Sequence, residues 1–287
     1  MNDSLLAYFG HHRCASNWIL AVVNEVGSLM GLRVSNGLHR PQLFNCDLHS
    51  YVNKHRLDFL CYTNADYAFV RELFDIKGFH VIRDPRDILI SSYYSHLYSH
   101  STDGWPELAA HRERLHAATK EEGILLEMDF RAWEFKHLAS WDYTRPNILE
   151  MKLEEMSASP ADAFSRIFRF LGLLAEPDGH NSRPELVDLL KANINRLHFK
   201  SRGAIPVRLR QRRLSGKQLD RIVSRHSFTR LTRGRKKGEE DVTSHYRKGE
   251  AGDWRNHFSD EILSAFKNRY QDLLEMLGYE SNQNWTR

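Results

Sequence analysis

The stretch LLAYFG at residues 5–10 is an uninterrupted apolar run that stops at a glycine and a polar loop. Immediately after it, NWILAVVNEVGSLMGL (17–32) sets Trp18, Ala21, Val22, Val26 and Leu29 at helical spacing. A strand passed through a short loop to an amphipathic helix buries both apolar faces only if the helix lies back on the sheet. That is the βα unit of a parallel sheet. The pattern recurs. DFLCYT (58–63) and GFHVI (78–82) read as strands, the latter followed by RDPRD and an apolar-periodic helix starting near Ile88. NILEMKL (147–153) is a fourth strand. SPADAFSRIFRFLGL (159–173) is its helix, with Ser159 as cap, Pro160 in the first turn and Gly172 as stop. DEILSAFKNRYQDLLEMLGY (260–279) closes the chain as an amphipathic helix. This alternation predicts an α/β fold with a central parallel sheet flanked by helices. With no internal repeat and no low-complexity linker, it predicts one domain over 1–287.

Composition narrows the class. A chain of 287 residues can bury one full core. No run approaches the ~20 apolar residues of a membrane helix, and MNDSLLAYFGHHRC lacks the basic start and apolar core of a secretory leader. Cys14, Cys46 and Cys61 form no CxxC pair, so neither a disulfide framework nor a zinc motif is expected, and a cytoplasmic location is. The net charge of +4 conceals an asymmetry: residues 196–238 hold fifteen Lys/Arg against one acid, Asp220, or +14, leaving −10 elsewhere. Such a block is a solvated face or a surface for an anion. It carries few aromatics and no nucleic-acid-binding motif, so nucleic acid is not an expected partner.

Three loops concentrate anion-binding chemistry. In GHHRCASN (10–17), between the first strand and its helix, Arg13 adds a permanent charge and Ser16 and Asn17 add donors at a helix N-terminus. The loop is not a Walker GxxxxGK[ST] sequence, and an ordinary βα turn is the alternative. In IRDPRDILISSYYSH (82–96), Arg83 leaves a strand end and Ser91 follows eight residues later; alternatively Arg83 pairs with Asp84 or Asp87 on the surface. In HYRKGEAGDWRNHF (245–258), Arg247 and Lys248 precede Gly249 and Gly252, which permit close backbone approach, while Asp253 and Trp254 can pin the loop. The alternative is a solvated turn. His96 and His100, spaced i and i+4, are read as exposed helix positions rather than metal ligands, and no metal is expected.

Together the loops match a known family. RDPRDILISSYY and YRKGEAGDWRNHF resemble the two 3′-phosphate-binding motifs of the cytosolic-type sulfotransferases, which use 3′-phosphoadenylyl sulfate (PAPS). HHRCASNW sits where that family has its 5′-phosphosulfate loop, and LEEMSASPADAFSRIFRFLGL resembles a further segment of it. The resemblance implies a P-loop-like sulfotransferase fold and transfer of a sulfuryl group from PAPS to a hydroxyl or amine, with PAP as product and no metal. It places Arg13, Cys14, Ala15, Ser16, Asn17 and Trp18 at the 5′ end of the nucleotide, with Arg13 also catalytic. Arg83, Ser91, Arg247, Lys248 and the Gly249 backbone then surround the 3′-phosphate, and Trp18 and Phe228 stack on adenine. Phe228, in RHSFTRL, otherwise anchors the basic loop.

The chain also departs from the family pattern. Arg13 stands where Lys is usual, Ala15 where Gly is, and Ser16 and Asn17 where two threonines are. Arg keeps the charge but is a poor proton donor, so its role is electrostatic. Asn64, in YTN (62–64), occupies the position of the family's catalytic His and cannot act as a base. The base must come from elsewhere, with His49 foremost and Asp47, His39 and Asp66 in the same region. Leu153 replaces an adenine-contacting Tyr, and RNHFSDEILS shows no dimer motif, so a homodimer is only one option. The acceptor is a small molecule, lipid or carbohydrate, with Tyr93, Tyr94, Tyr98 and Trp105 lining its pocket or merely packing a helix. Two rival readings are a P-loop kinase-like phosphotransferase and a nucleotide-binding protein that has lost catalysis.

Overall fold

Each apolar run forms a strand in the computed structural model, which describes residues 4–175, 186–201, 207–211 and 213–287. The strands are β1 (Leu5–Gly10), β2 (Phe59–Tyr62), β3 (Ile76–Ile82) and β4 (Ile148–Lys152). Between and after them run α1 (Ser16–Met30), α2 (Leu48–His55), α3 (Tyr67–Val70), α4 (Pro85–Tyr94), α5 (Pro106–Ala117), α6 (Lys120–Phe130) and α7 (Ala132–Ser140). They continue with α8 (Leu153–Ala158), α9 (Pro160–Phe170), α10 (Leu186–Lys200), α11 (Gly216–Arg225), α12 (Phe228–Leu231) and α13 (Asp260–Met276).

The sheet order is β2-β1-β3-β4. β1 pairs in parallel with β2 on one side, Ala7 opposite Leu60, and with β3 on the other, Ala7 opposite Gly78. All four residues of β2 and the last four of β1 are buried, the continuous apolar pattern of a parallel sheet covered on both faces. Because the chain leaves β1 toward β2 yet has β3 on its opposite flank, the C-terminal ends of β1 and β3 form a topological switch point, where open α/β sheets bind ligands. The loops that leave these two strand ends carry Arg13 and Arg83.

The chain packs as two compact units. One comprises Met1–His11, Ala15–Val81 and Asp142–Ser227; the other His12–Cys14, Ile82–Trp141 and Phe228–Arg287. In the first, α1 (Val22, Val26, Leu29) and α9 (Phe164, Ile167, Phe168) lay apolar faces on Tyr8, Phe79 and Val81 of the sheet. Each such side chain contributes about 1.5–3 kcal/mol on burial. α11 turns Leu219, Ile222 and Val223 into the same core and leaves Lys217, Arg221 and Arg225 exposed, so this part of the basic block is a solvated face. Residues 202–206 and 212 of that block lie outside the described residues.

In the second unit α4 begins at Pro85, three residues before the apolar periodicity suggests. The Asp84 side chain accepts from Arg86 N (2.9 Å) and Pro85 supplies the first turn, so the polar RDPRD segment is the cap and not a preceding loop. Likewise β4 ends at Lys152, and Leu153 opens α8. α4 is buried almost all round. Arg86 pairs with Asp84 and Glu280 and lies between the rings of Trp254 (4.1 Å) and Trp285 (4.6 Å). Phe135 of α7 meets Phe266 and Tyr270 of α13. Among the described residues no helix is long and apolar enough to cross a membrane.

Candidate functional site

The loop after β1 turns through two non-glycine residues with left-handed backbone, Arg13 (φ 66°) and Ala15 (φ 57°). In the second unit the Arg13 guanidinium donates from Nε to Ser91 Oγ (2.9 Å), from Nη1 to Ser95 Oγ (3.0 Å) and from Nη2 to the His245 carbonyl (3.3 Å). Arg83 donates to the Arg13 carbonyl (3.2 Å) and lies 3.9 Å from Asp87, while Asp84 is taken by Arg86. Burial, reinforced by Arg83, Arg131 and Arg247, pushes Arg13 down to about 9. It therefore stays charged at neutral pH while bonded to neutral partners. An anion placed there would gain charge-assisted hydrogen bonds.

The stretch 245–258 is organised by two carboxylates of the same unit. Asp253 accepts from Arg247 Nη2 (2.5 Å), Lys248 Nζ (2.6 Å), Asn256 Nδ2 (2.9 Å) and contacts His257 Nε2 (3.0 Å). Burial alone would raise its carboxyl; His257, Lys248, Asn256 and Arg247 outweigh it and hold the group far below the usual carboxylate range. Asp87 accepts from Gly252 N (2.7 Å) and Trp254 N (3.0 Å). Arg247 also pairs with Glu240 and lies over the Tyr94 ring (4.7 Å). Arg235 bridges the carbonyls of Glu239, Tyr246 and Arg247 at 3.1, 2.7 and 2.8 Å. Gly249 has φ 72°, and a Cβ there would stand 2.6 Å from the Phe228 ring, so only glycine lets the backbone lie against that ring.

In the first unit α1 starts with Ala15 O accepting from Trp18 N (3.0 Å) and Ile19 N (3.1 Å), and no side chain caps it. First-turn amides lack intrahelical partners, which makes such a terminus suited to an anion. Ser16 Oγ donates to His11 O (3.4 Å) and accepts from Tyr8 OH (3.3 Å). Trp18 is half-buried edge-on to Phe164 (5.2 Å), its indole N–H without a hydrogen-bond partner. Behind the loop, His80 Nδ1 lies 2.6 Å from Glu150 Oε2 and His80 Nε2 lies 2.9 Å from His11 Nε2. Burial pulls His80 well below the ordinary imidazole range, so it is neutral. It donates to Glu150 through Nδ1 and accepts at Nε2, which puts the His11 proton on Nε2.

The structure thus joins Arg13, Arg83 and Ser91 through hydrogen bonds, and Arg247, Lys248, Gly249 and Phe228 through Asp253 and a close ring contact. Ala15, Ser16, Asn17 and Trp18 open α1, and Cys14 is buried. Residues proposed as bases do not converge. His49 is exposed on α2 beside Asn53 (3.3 Å), Asp47 caps α2 through Ser50 N (2.8 Å), and Asp66 caps α3 through Ala68 N (2.9 Å). Asn64 donates to the carbonyl of exposed His39 (3.3 Å). His96 is not exposed as its helical spacing suggests but completely buried, because it lies in a π-helical turn (Ser95–Ser99) that changes the helical phase. Tyr93 is buried, Tyr98 exposed and Trp105 half-buried. Sequence reasoning missed Ser95, Arg235 and His245, and read Asp87 only as a surface partner of Arg83, although it is buried and holds the turn at Gly252 and Trp254. Ser95 is legible as the i+4 neighbour of Ser91; Arg235 carries no local signal.

A sulfotransferase domain profile matches residues 69–202 and 207–278, which include the Arg83–Ser91 and Arg247–Trp254 stretches and leave the Arg13 loop outside. Sulfotransferase 2A1 of Rattus norvegicus is 27% identical over 213 residues, covering 72% of this chain and 61% of the relative. Sulfotransferase 2A2 of the same species is 25% identical over 213 residues, 72% of this chain and 60% of the relative. The chain therefore matches about three fifths of these relatives' length. Mouse sulfotransferase SULT7A1 complexed with PAP superposes with a TM-score of 0.59 at 15% identity, covering 95% of this chain and 84% of that one. Retinol dehydratase in complex with androsterone and inactive cofactor PAP gives 0.51 at 13%, covering 96% and 82%. At such identities the superpositions show a shared fold, the α/β sulfotransferase fold with its P-loop-like sheet. Since the profile spans well over half of the residues, including both basic stretches, the chain belongs to the sulfotransferase family.

Proposed function

We propose that residues 1–287 form one cytoplasmic PAPS-dependent sulfotransferase domain. It would transfer a sulfuryl group to a hydroxyl or amine of a small-molecule, lipid or carbohydrate acceptor and release PAP. One observation carries the reading. Asp87, between Arg83 and Ser91, accepts both amides of the turn that follows Arg247, Lys248 and Gly249, so two distant basic segments adjoin in one unit. A 3′-phosphate dianion would draw Arg247 and Lys248 from Glu240 and Glu250 into charge-assisted bonds, with Arg83 and Ser91 opposite. Arg13 would face the phosphosulfate. The fixed charge of Arg13 stabilises the negative charge that grows on the leaving nucleotide.

The acceptor's proton needs a base. Asp47 and Asp66 are committed to helix caps, and Asn64 is not basic. His245 presents Nδ1 to Arg13 at 3.4 Å, and burial followed by the charge of Arg13 pushes its ring down to about 4. It is neutral at physiological pH and lies beside Arg13, but the same lowered pKa makes it a weak base.

Nucleotide binding tests the reading. Arg83→Ala and Arg247→Ala should each weaken PAPS binding by about tenfold to a hundredfold, the range of charge-assisted hydrogen bonds, and adenylyl sulfate binding far less. Equal losses for both nucleotides would overturn the 3′-phosphate assignment. Labelled PAPS offered to a panel of acceptors reports transfer; label moving only from ATP with Mg²⁺ would favour a phosphotransferase.

A further inference from the structure

We propose that His96, His111 and Glu127 form a zinc-binding site in the helical part of the second unit, apart from the transfer chemistry. They come from three successive elements: the π-helical turn after α4, α5 and α6. Their side chains are 0%, 2% and 0% exposed, and their donor atoms lie within 4.8 Å of one another. His111 Nε2 is 2.9 Å from Glu127 Oε2, an ordinary hydrogen bond. His96 Nδ1 lies 2.8 Å from Glu127 Oε1, while His96 Nε2 is buried without a hydrogen-bond partner. One carboxylate with an imidazole nitrogen at each oxygen is the juxtaposition that a shared cation would use. Tetrahedral zinc with bonds of about 2.0–2.1 Å needs donors roughly 3.3 Å apart, so small shifts would complete the site.

Charge balance points the same way. Arg131 and Glu134 pair with each other in the same interior. The carboxylate of Glu127, wholly buried, turns both oxygens toward the two imidazoles. Buried charges are paired or bind metals. Two imidazoles and one carboxylate are a zinc donor set rather than one for magnesium or calcium. Phe130 stacks on His111 (4.0 Å) and Trp105 meets His96 edge-on (5.7 Å), an aromatic wall around the cluster, and a water would fill the fourth tetrahedral position. His96 follows Ser95, a partner of Arg13, so the metal would lock the turn that holds this guanidinium.

The test is direct and independent of the sulfuryl-transfer reading. Full-length protein is stripped with a chelator, dialysed and titrated with zinc alone by calorimetry. One equivalent should bind, and Co²⁺ in its place should give the visible absorption of a tetrahedral site. Glu127→Gln and His111→Gln, each verified as folded by circular dichroism, should weaken binding at least about tenfold. His116→Gln, an exposed position on α5, should leave it unchanged. Wild-type protein that binds no zinc, or Gln variants that bind as wild type does, would overturn the site.

Discussion

Asp87 holds Trp254 by its backbone: Oδ1 accepts from Trp254 N at 3.0 Å while Oδ2 accepts from Gly252 N at 2.7 Å, across 167 and 165 residues of sequence. Asp87 and Trp254 are both buried, so water cannot replace the carboxylate at the Trp254 amide. Leaving a buried donor unsatisfied costs about 1–3 kcal/mol. Asp87→Ala should therefore lower unfolding free energy by about 2–4 kcal/mol in urea titrations, and Asp87→Asn, which keeps one acceptor, by less. A loss below about 0.5 kcal/mol for Ala would mean that other contacts hold the turn.

Gly249 and Gly104 share nearly the same left-handed backbone, φ 72° and 69°, but differ in surroundings. A Cβ at Gly104 meets nothing within 4 Å, whereas at Gly249 it would overlap Phe228. Gly104→Ala should cost only the backbone term of about 1–2 kcal/mol. Gly249→Ala should cost measurably more and also weaken PAP binding, since Phe228 must move. Equal costs in thermal or urea unfolding would show that the ring yields freely.

These relationships differ in how visible they are before folding. β1 and its helix are legible because burial on both faces writes a continuous apolar run and then a helical period. The start of α4 is hidden because its first turn is polar, and Asp84 and Pro85 act as a cap rather than through periodicity. The cations Arg13, Arg83, Arg247 and Lys248 stand out by charge and by their loops, and Asp253 is readable as a pin because it follows them closely. Asp87 is not, because its partners are backbone amides far along the chain and amides have no sequence signature. Strand order depends on pairing between distant segments, and the burial of His96 depends on a π-helical turn that breaks the 3.6-residue period.

Stability should fall with acid from a group the transfer chemistry does not need. His80 is buried and neutral in the folded state, its pKa well below the value of about 6.5 expected when unfolded. The unfolded chain then binds the extra proton, so His80 contributes stability above about pH 6.5 that drains away as pH drops toward its folded value. His80→Gln, which keeps hydrogen-bonding capacity but cannot titrate, should make unfolding free energy less steep in pH between about 6.5 and 5. An unchanged slope would mean that His80 takes up its proton while folded, held by Glu150.

Arg13 offers the sharpest separation of binding from catalysis. Its guanidinium is bonded to two hydroxyls and a carbonyl, and burial with three cationic neighbours disfavours its charge, so its electrostatic stabilisation is reserved for an anion. If that anion is the departing phosphosulfate, charge accumulates there more in the transition state than in the ground state. Arg13→Ala should then lower kcat by about 10²–10³ while changing PAP affinity only a few-fold. Arg13→Lys keeps the charge but loses the fork that reaches Ser91 and Ser95 together, and should fall between the two. Single-turnover rates with labelled PAPS, beside PAP binding by calorimetry, measure both quantities. If the Ala variant keeps its turnover, the cation at the end of β1 has no part in the transfer and serves only to hold the loop.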